Sequence, residues 1–212
     1  MQSYKTHFAD RSFVLSFLGG LLLLATSFVT QFFVSDYVAR SSSAPVTDIV
    51  LSNTRVYEVG GIFVWGAILQ ACIVIFIGLR HINYAPFILK SVALFTLIRS
   101  FFVSLTHIGP FPTQAIINSD FFTKEVFNGI FTGNDLFFSG HTGFPFLLAL
   151  IFWENETLRI IFLCFSALFG IVVLLGHLHY SIDVLSAFFI TFSIFHICKF
   201  LFKKDWQLFL KK

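Results

Sequence analysis

The sequence predicts an all-α integral membrane protein, a six-helix bundle in a single domain over residues 1–212. Hydrophobic residues make up 57% of the chain and charged residues 12%, with a mean hydropathy of +0.86, whereas a soluble domain carries about 25% charged residues. Phenylalanine occupies 32 of the 212 positions, which is more aromatic surface than a water-soluble core of this size buries. Because six apolar stretches approach the ~20 residues that a spanning helix needs, we expect the lipid bilayer to solvate this surface.

The first three predicted spans are the apolar stretches of the N-terminal half. The first, about 13–34, follows Arg11, and the second, about 59–79, ends before Arg80. The third, about 85–108, contains two basic residues, which are costly at bilayer depth. One of the two, Lys90, lies near the inner end and is interpreted as a side chain that extends to the inner surface.

The last three predicted spans lie in the C-terminal half. The fourth covers about 140–154, begins in the segment Ser139-Gly140-His141 and is the shortest. The fifth covers about 158–177 and the sixth about 181–202. The residues that follow, 205–212, are expected to form a short tail at the membrane surface.

The distribution of basic residues predicts the orientation of the bundle. With six spans both termini share a side, which then holds nine Lys and Arg residues against three on the other, so the positive-inside rule predicts cytoplasmic termini. The nine are Lys5, Arg11, Arg80, Arg159, Lys199, Lys203, Lys204, Lys211 and Lys212, and the three are Arg40, Arg55 and Lys124. The exoplasmic, periplasmic or lumenal side then holds segments 35–58, 109–139 and 178–180, the second with a short interfacial helix between Asp120 and Asp135.

Four ionisable residues from four chain segments fall at one depth of the predicted bundle, in its outer half. They are Arg99, His141, His179 and Asp183. Ionisable residues at this depth are expected to line a bundle interior or a water-filled cavity. His179 and Asp183 are four residues apart and share a helix face, so the carboxylate can accept the imidazole N–H and raise the basicity of the other ring nitrogen. A purely structural His–Asp pair that caps a helix fits the same spacing.

Two further features of these segments suit an oxyanion such as phosphate. Ser139-Gly140 is a good helix start directly before His141, and a helix start presents backbone N–H groups and the positive end of the helix dipole. Arg99 offers a planar fork of donors that matches phosphate, although an arginine that extends to the outer headgroups explains its position as well. His177 can donate a hydrogen bond that supports His179 without contacting the substrate, or it can pack in the turn without a catalytic role.

Several other kinds of site are not indicated. Cys72, Cys164 and Cys198 are widely separated in apolar runs, so neither a disulfide framework nor a cysteine metal site is expected. No histidine pair has zinc-site spacing, and no acidic cluster suggests a two-metal centre, so we expect metal-free chemistry without a cofactor. The net charge of +3 gives no argument for a nucleic-acid partner.

Two segments resemble signature segments of a known family. They are 133–142, GNDLFFSGHT, and 176–184, GHLHYSIDV. Both are similar to segments of the sphingomyelin synthase family, the transferase-like, C-terminal-type branch of the type 2 phosphatidic acid phosphatase superfamily. Weaker agreement comes from 45–48, PVTD, and from Arg99 followed by Thr106, Pro110 and Pro112. The resemblance runs from about residue 45 to 200.

The resemblance implies a role for each matching residue. His179 corresponds to the nucleophile that attacks the lipid phosphorus and forms a phosphohistidine, Asp183 to the carboxylate that orients it, and His141 to the acid and base that serves the leaving alcohol. Arg99 is implied to clamp the phosphate, and Ser139 and Gly140 are predicted, from the helix start, to bind it too. Asp135 and His177 are candidates for residues that support the catalytic groups without contacting the substrate.

Two departures separate the chain from the phosphatase branch. That branch shows Lys-x6-Arg-Pro, but here Lys90 and Arg99 are nine apart and Ser100 follows the arginine. It also has Ser-Arg ahead of the nucleophilic histidine, where this chain has Val172-Val173. Both departures favour the synthase-like branch.

The resemblance therefore implies transfer of phosphocholine or phosphoethanolamine from a glycerophospholipid to ceramide or another lipid alcohol, with release of diacylglycerol. A lipid phosphate phosphatase or phospholipase C-like hydrolase, with water as the acceptor, uses the same residues and remains an alternative. A non-catalytic membrane channel, transporter or scaffold is a second alternative, and it predicts loss of a catalytic residue. The sequence leaves open whether the protein is a homo-oligomer.

Overall fold

The computed structural model describes residues 4–115 and 136–211, which form eight α-helices and contain no strand. In chain order the helices are α1 (Tyr4–Ala9), α2 (Arg11–Ser41), α3 (Gly60–Arg80), α4 (Ala85–Leu105), α5 (Gly140–Ile151), α6 (Glu156–Leu175), α7 (Ser181–Leu201) and α8 (Lys203–Leu210). Short 3₁₀ helices at Leu51–Asn53 and Ile82–Tyr84 lie in two of the connections. The all-helical membrane fold expected from the sequence is confirmed.

Five of these helices are long and apolar enough to cross a membrane, namely α2, α3, α4, α6 and α7. Each covers a predicted span, although α2 continues to Ser41 because Asp36 and Arg40 form an i,i+4 ion pair on its last turns. The helix at the predicted fourth span, α5, has 12 residues, so it is only about 18 Å long. That this segment crosses the membrane stays a prediction.

The short helix α5 lies at the centre of the bundle. It packs between α6 and α7, while α2 packs along α4, and α4 contacts both α5 and α7. Eight of the twelve residues of α5 are buried. On the outer faces of the long helices large apolar side chains stay exposed, such as Phe33, Phe76 and Phe189. In water these faces would associate, whereas lipid tails solvate them.

A polar contact fixes the rotation of α4 against α2. The Ser100 hydroxyl donates to Gln31 Oε1 at 2.8 Å, and Gln31 Nε2 donates to Ser35 Oγ at 2.9 Å. Side-chain hydrogen bonds of this kind hold helices together where water is absent. Because Ser100 faces α2, its neighbour Arg99 turns toward the bundle interior.

Lys90 pairs with a carboxylate of the predicted tail. Its Nζ atom donates to Asp205 Oδ2 at 2.6 Å and to Ser16 Oγ at 2.6 Å. The predicted tail is the helix α8, whose Trp206 and Phe209 pack on the ring of Phe87. The side chain of Lys90 therefore extends toward this tail, and pairing the ammonium with the buried carboxylate costs less than leaving either charge alone.

The two ends of the described chain lie at the same end of the bundle. Both α1 and α8 contact the 3₁₀ helix Ile82–Tyr84, and Asn83 Nδ2 donates to the Lys211 carbonyl at 3.3 Å. An even number of crossings requires this arrangement. The end that holds α8 is called the α8 end below, and the other end carries the candidate site.

Candidate active site

The turn between α6 and α7 carries His179. Leu178 N–H donates to the Val173 carbonyl at 2.8 Å, which folds the chain back onto the end of α6. His177 has a φ of 52°, in the left-handed region that few residues other than glycine adopt. The turn is therefore tightly closed just before His179.

His179 and Asp183 form a hydrogen-bonded pair. Their Nδ1 and Oδ2 atoms are 3.2 Å apart, and the two side chains are 8% and 1% exposed. The same Oδ2 atom accepts the Tyr180 N–H at 3.1 Å. Asp183 therefore caps the start of α7 and also orients His179, so both interpretations of the spacing apply at once. If the Nδ1 proton is donated to Asp183, Nε2 carries the lone pair that a nucleophile or a base needs.

The start of α5 lies beside the start of α7. The Ser139 hydroxyl accepts the Thr142 N–H at 3.3 Å, so Ser139 is the N-cap of α5, as predicted. The Ser139 N–H donates to the Asp183 carbonyl at 2.9 Å. This bond joins the two helix starts, so the segment that carries His141 adjoins the segment that carries Asp183.

Arg99 approaches the start of α5 from α4. Its side chain is buried, and Nε donates to the Phe138 carbonyl at 3.3 Å. A Cβ atom added to Gly140 would lie 3.1 Å from this Nε, so the arginine runs directly against the first residue of α5. The alternative that Arg99 extends to the headgroups is therefore wrong, because the side chain turns inward. It lies six residues before the end of α4, which is about 9 Å along the helix axis.

His141 lies between two aromatic rings. The ring of Phe63, from α3, stacks on it at a centroid distance of 3.8 Å, and the ring of Phe169, from α6, meets it edge-on at 5.6 Å. Such contacts fix the plane of the imidazole. The sequence did not indicate either phenylalanine, because among 32 phenylalanines no local pattern marks the two that contact a histidine.

The comparisons with known proteins bear on the second half of this site. Residues 132–200, about a third of the chain, match the family described as PAP2 superfamily C-terminal. The match supports the PAP2 superfamily. It covers both histidine segments, and it indicates an enzyme of the lipid phosphatase or phosphotransferase type. No curated protein and no solved structure matches the chain significantly.

Residues outside the PAP2 match that had no predicted role also contact the site. The first loop, residues 42–59, contacts the turn and the start of α7. The Tyr180 hydroxyl donates to the Gly109 carbonyl at 2.8 Å and accepts the Val46 N–H at 3.2 Å. Asp48 Oδ2 accepts both the N–H and the hydroxyl of Ser181, at 2.7 and 2.8 Å. These contacts join residues that are 71 to 134 positions apart in the chain, so no sequence spacing indicates them.

The two predicted supporting residues have different outcomes. His177 is 3% exposed, and its Nδ1 atom lies 2.6 Å from the Thr113 hydroxyl. It therefore joins the turn to the segment that follows α4, and it does not contact His179 in any of the described hydrogen bonds. Asp135 and the predicted interfacial helix lie outside the described residues. Within residues 4–115 and 136–211, no three His, Cys, Asp or Glu side chains come together as metal ligands.

Proposed function

We propose that this chain is a membrane phosphotransferase of the PAP2 superfamily. It would move phosphocholine or phosphoethanolamine from a glycerophospholipid to ceramide or another lipid alcohol and release diacylglycerol. The observation that carries the proposal is the bond from the Ser139 N–H to the Asp183 carbonyl at 2.9 Å. This bond brings the segment of His141, which Arg99 also contacts, next to the segment of the His179–Asp183 pair, and that supports a shared site.

In the first step of the proposed reaction, His179 acts as the nucleophile. The Nε2 lone pair attacks the phosphorus of the donor lipid, and the bond between the phosphorus and the diacylglycerol oxygen breaks. The diacylglycerol oxygen takes a proton from the imidazolium of His141, so it leaves as a neutral alcohol. The product on the enzyme is a phosphohistidine whose Nδ1–H stays hydrogen bonded to Asp183.

In the second step an alcohol accepts the phospho-headgroup. The neutral imidazole of His141 removes the hydroxyl proton of the acceptor, and the acceptor oxygen attacks the phosphorus. The P–N bond breaks and returns its electron pair to His179. Both histidines regain their starting protonation states, because the hydroxyl proton of the acceptor replaces the proton that His141 gave to diacylglycerol.

Arg99 and the start of α5 supply positive charge for the phosphoryl group. A guanidinium held by its contact with the Phe138 carbonyl needs little reorganisation when charge develops on the phosphate oxygens. The first turn of α5 adds backbone N–H groups and the helix dipole. Ser139 is predicted to bind phosphate as well; its hydroxyl accepts the Thr142 N–H and keeps its own proton to donate to a phosphate oxygen, whereas its backbone N–H already donates to the Asp183 carbonyl.

The surroundings of the two histidines favour a lipid alcohol over water as the acceptor. His179 is nearly buried, and His141 lies between the rings of Phe63 and Phe169. A site that excludes water protects a reactive phosphohistidine from hydrolysis. The resemblance of segments 133–142 and 176–184 to the sphingomyelin synthase family supports the same choice.

The test is a lipid assay on the purified protein with both products identified by mass spectrometry. Phosphatidylcholine or phosphatidylethanolamine is supplied with and without ceramide. We expect release of diacylglycerol and ceramide-dependent formation of a phosphosphingolipid. Free phosphocholine or phosphate without any transfer product would instead favour the hydrolase, and no product from any common phospholipid would contradict an enzymatic function.

Variants test the assigned roles in the same assay. His179→Ala and His141→Ala should each abolish turnover, and thermal denaturation should show that both remain folded. The matched control is His196→Ala, because His196 is an exposed histidine on α7 with contacts only to phenylalanine rings among its described ring pairs. Full activity in either site variant would refute its role.

A further inference from the structure

Asp48 is a buried carboxylate in the first loop, residues 42–59, and nothing in the proposed reaction uses it. Its residue is 8% exposed. Oδ2 accepts the Ser181 N–H at 2.7 Å and the Ser181 hydroxyl at 2.8 Å, while Oδ1 accepts the Val50 and Leu51 N–H groups at 2.8 and 3.0 Å. Four donors therefore surround this carboxylate, two from its own loop and two from the start of α7.

The hydrogen bonds keep Asp48 ionised. Burial acts to raise the pKa of this carboxyl, but the N–H groups of Leu51, Ser181 and Val50 and the Ser181 hydroxyl outweigh burial and lower the pKa below its usual value of 3.8. An ionised carboxylate with four occupied acceptor positions has neither a proton to give nor a free lone pair directed at a substrate. Asp48 is thus unsuited to act as a catalytic acid or base.

The bonds to Ser181 reach the catalytic pair through the backbone. Ser181 lies two residues after His179 and two residues before Asp183. The N–H of Tyr180 donates to Asp183, and the next N–H, that of Ser181, donates to Asp48. Consecutive N–H groups at the start of α7 are therefore held by two carboxylates, one from the helix itself and one from a distant loop.

The loop itself is anchored on a second side. The Ser43 N–H donates to the His107 carbonyl at 2.7 Å, and the Tyr57 N–H donates to the Leu175 carbonyl at 2.9 Å. Leu51, whose N–H donates to Asp48, is 1% exposed and packs with Leu136 and Tyr180. A loop fixed in this way can transmit a rigid constraint to Ser181.

We propose that Asp48 is a positioning residue, which holds the start of α7 so that His179 and Asp183 keep their orientation toward the start of α5. This inference rests on the proposed phosphotransfer by His179. Because a misplacement of about 1 Å can cost about 100-fold in rate, loss of this constraint should reduce the chemical step more than it reduces lipid binding.

The experiment measures kcat and KM of Asp48→Asn in the lipid assay. The amide keeps the size of the side chain but turns one acceptor oxygen into an N–H donor, which opposes the donors around it. We expect kcat to fall by about 10- to 100-fold, with KM within about 2-fold of the unsubstituted protein. The matched control is Asp36→Asn, which removes an exposed carboxylate from the end of α2 and should change neither constant.

A second pair of variants separates positioning from folding. Ser181→Ala removes one of the two bonds to Asp48 and should lower kcat less than Asp48→Asn does, whereas Ser181→Thr keeps the hydroxyl and should retain activity.

An unchanged kcat in Asp48→Asn or in Ser181→Ala would overturn the proposal. A parallel rise in KM would do so too. If Asp48→Asn does not fold, the Ser181 pair decides alone. Inactivity of the unsubstituted protein would contradict phosphotransfer itself and remove the reaction that Asp48 would serve.

Discussion

Gly140 is the residue at which Arg99 comes nearest to α5. An added Cβ would lie 3.1 Å from Arg99 Nε and 3.5 Å from its Cδ and Cζ atoms. Such a contact is too close, so the arginine would shift by a few tenths of an ångström. The size of residue 140 therefore sets the position of the guanidinium.

We predict that Gly140→Ala lowers kcat/KM in the lipid assay by about 10-fold, since displaced catalytic groups lose rate steeply. Its stability should stay the same or rise by up to about 1 kcal/mol, because alanine favours a helix more than glycine does. Gly61→Ala is the matched control, since Gly61 also lies at a helix start and nothing comes within 4 Å of its added Cβ. Equal activity of the two variants would contradict the close contact with Arg99. Thermal denaturation checks the stability of both.

At the residue scale, the sequence predicts what local spacing encodes. The His179–Asp183 pair follows from an i,i+4 spacing, and the cap at Ser139 follows from a Ser-Gly helix start. The contact of Phe63 with His141 could not be predicted, because Phe63 reaches the site from a segment with no periodic relation to it, and for Asp48 the resemblance of segment 45–48 gave no role. The partner of Lys90 could not be predicted for the same reason, since Asp205 is 115 residues away.

At the scale of single elements, α8 is the helix whose interactions differ most from expectation. Asp205 accepts hydrogen bonds from Lys90 and Ser16, and the Lys90 and Asp205 side chains are 16% and 9% exposed. Together with the rings of Trp206 and Phe209, which pack on Phe87 of α4, this ion pair fastens α8 to α2 and α4.

We predict that Lys90→Met lowers the free energy of unfolding by about 3 kcal/mol, because it leaves the Asp205 carboxylate buried without its cation. The double variant Lys90→Met/Asp205→Leu should recover most of this loss. Arg40→Met is the control, since it breaks an exposed i,i+4 ion pair that is worth at most about 1 kcal/mol. Thermal denaturation in detergent measures all three. If Lys90→Met were as stable as Arg40→Met, the ion pair would not hold α8.

The existence and order of the long helices could be predicted because hydropathy alone marks them. Their ends agree with the predicted spans within three residues, except that α2 continues to Ser41, seven residues past its predicted end. For α5 the sequence predicts the shortest of the six spans but not that its helix ends at Ile151, and its burial between α6 and α7 explains why 12 residues form a stable helix. The helix α8 is held by its contact with α4, and this contact could not be predicted from the sequence.

At the scale of the whole molecule, the orientation in the membrane stays a prediction. We propose that the site faces the exoplasmic, periplasmic or lumenal side and that the α8 end faces the cytoplasm. The basic residues support this orientation, because Arg80, Lys199 and Lys204 belong to the α8 end.

Cysteine labelling in intact cells tests it. In a variant without the exposed Cys72 and Cys164, we expect a membrane-impermeant maleimide to label Ser42→Cys, at the exposed end of α2, in intact cells. Lys204→Cys, in α8, should react only after permeabilisation. The reverse pattern would place the site on the cytoplasmic side and contradict the positive-inside prediction.

The short central helix has a consequence for the membrane around the protein. The hydrocarbon core of a bilayer is about 30 Å thick, whereas α5 is about 18 Å long and its first residue adjoins Arg99, about 9 Å inside the end of α4. With the end of α4 at the headgroup plane, a lipid phosphate in the proposed reaction would reach the site only by moving below that plane or where the bilayer is locally thinner. Thin bilayers bring the headgroups closer to this depth. Because of this hydrophobic mismatch, the acyl-chain length of the surrounding lipids would determine in which cellular membranes the protein is most active.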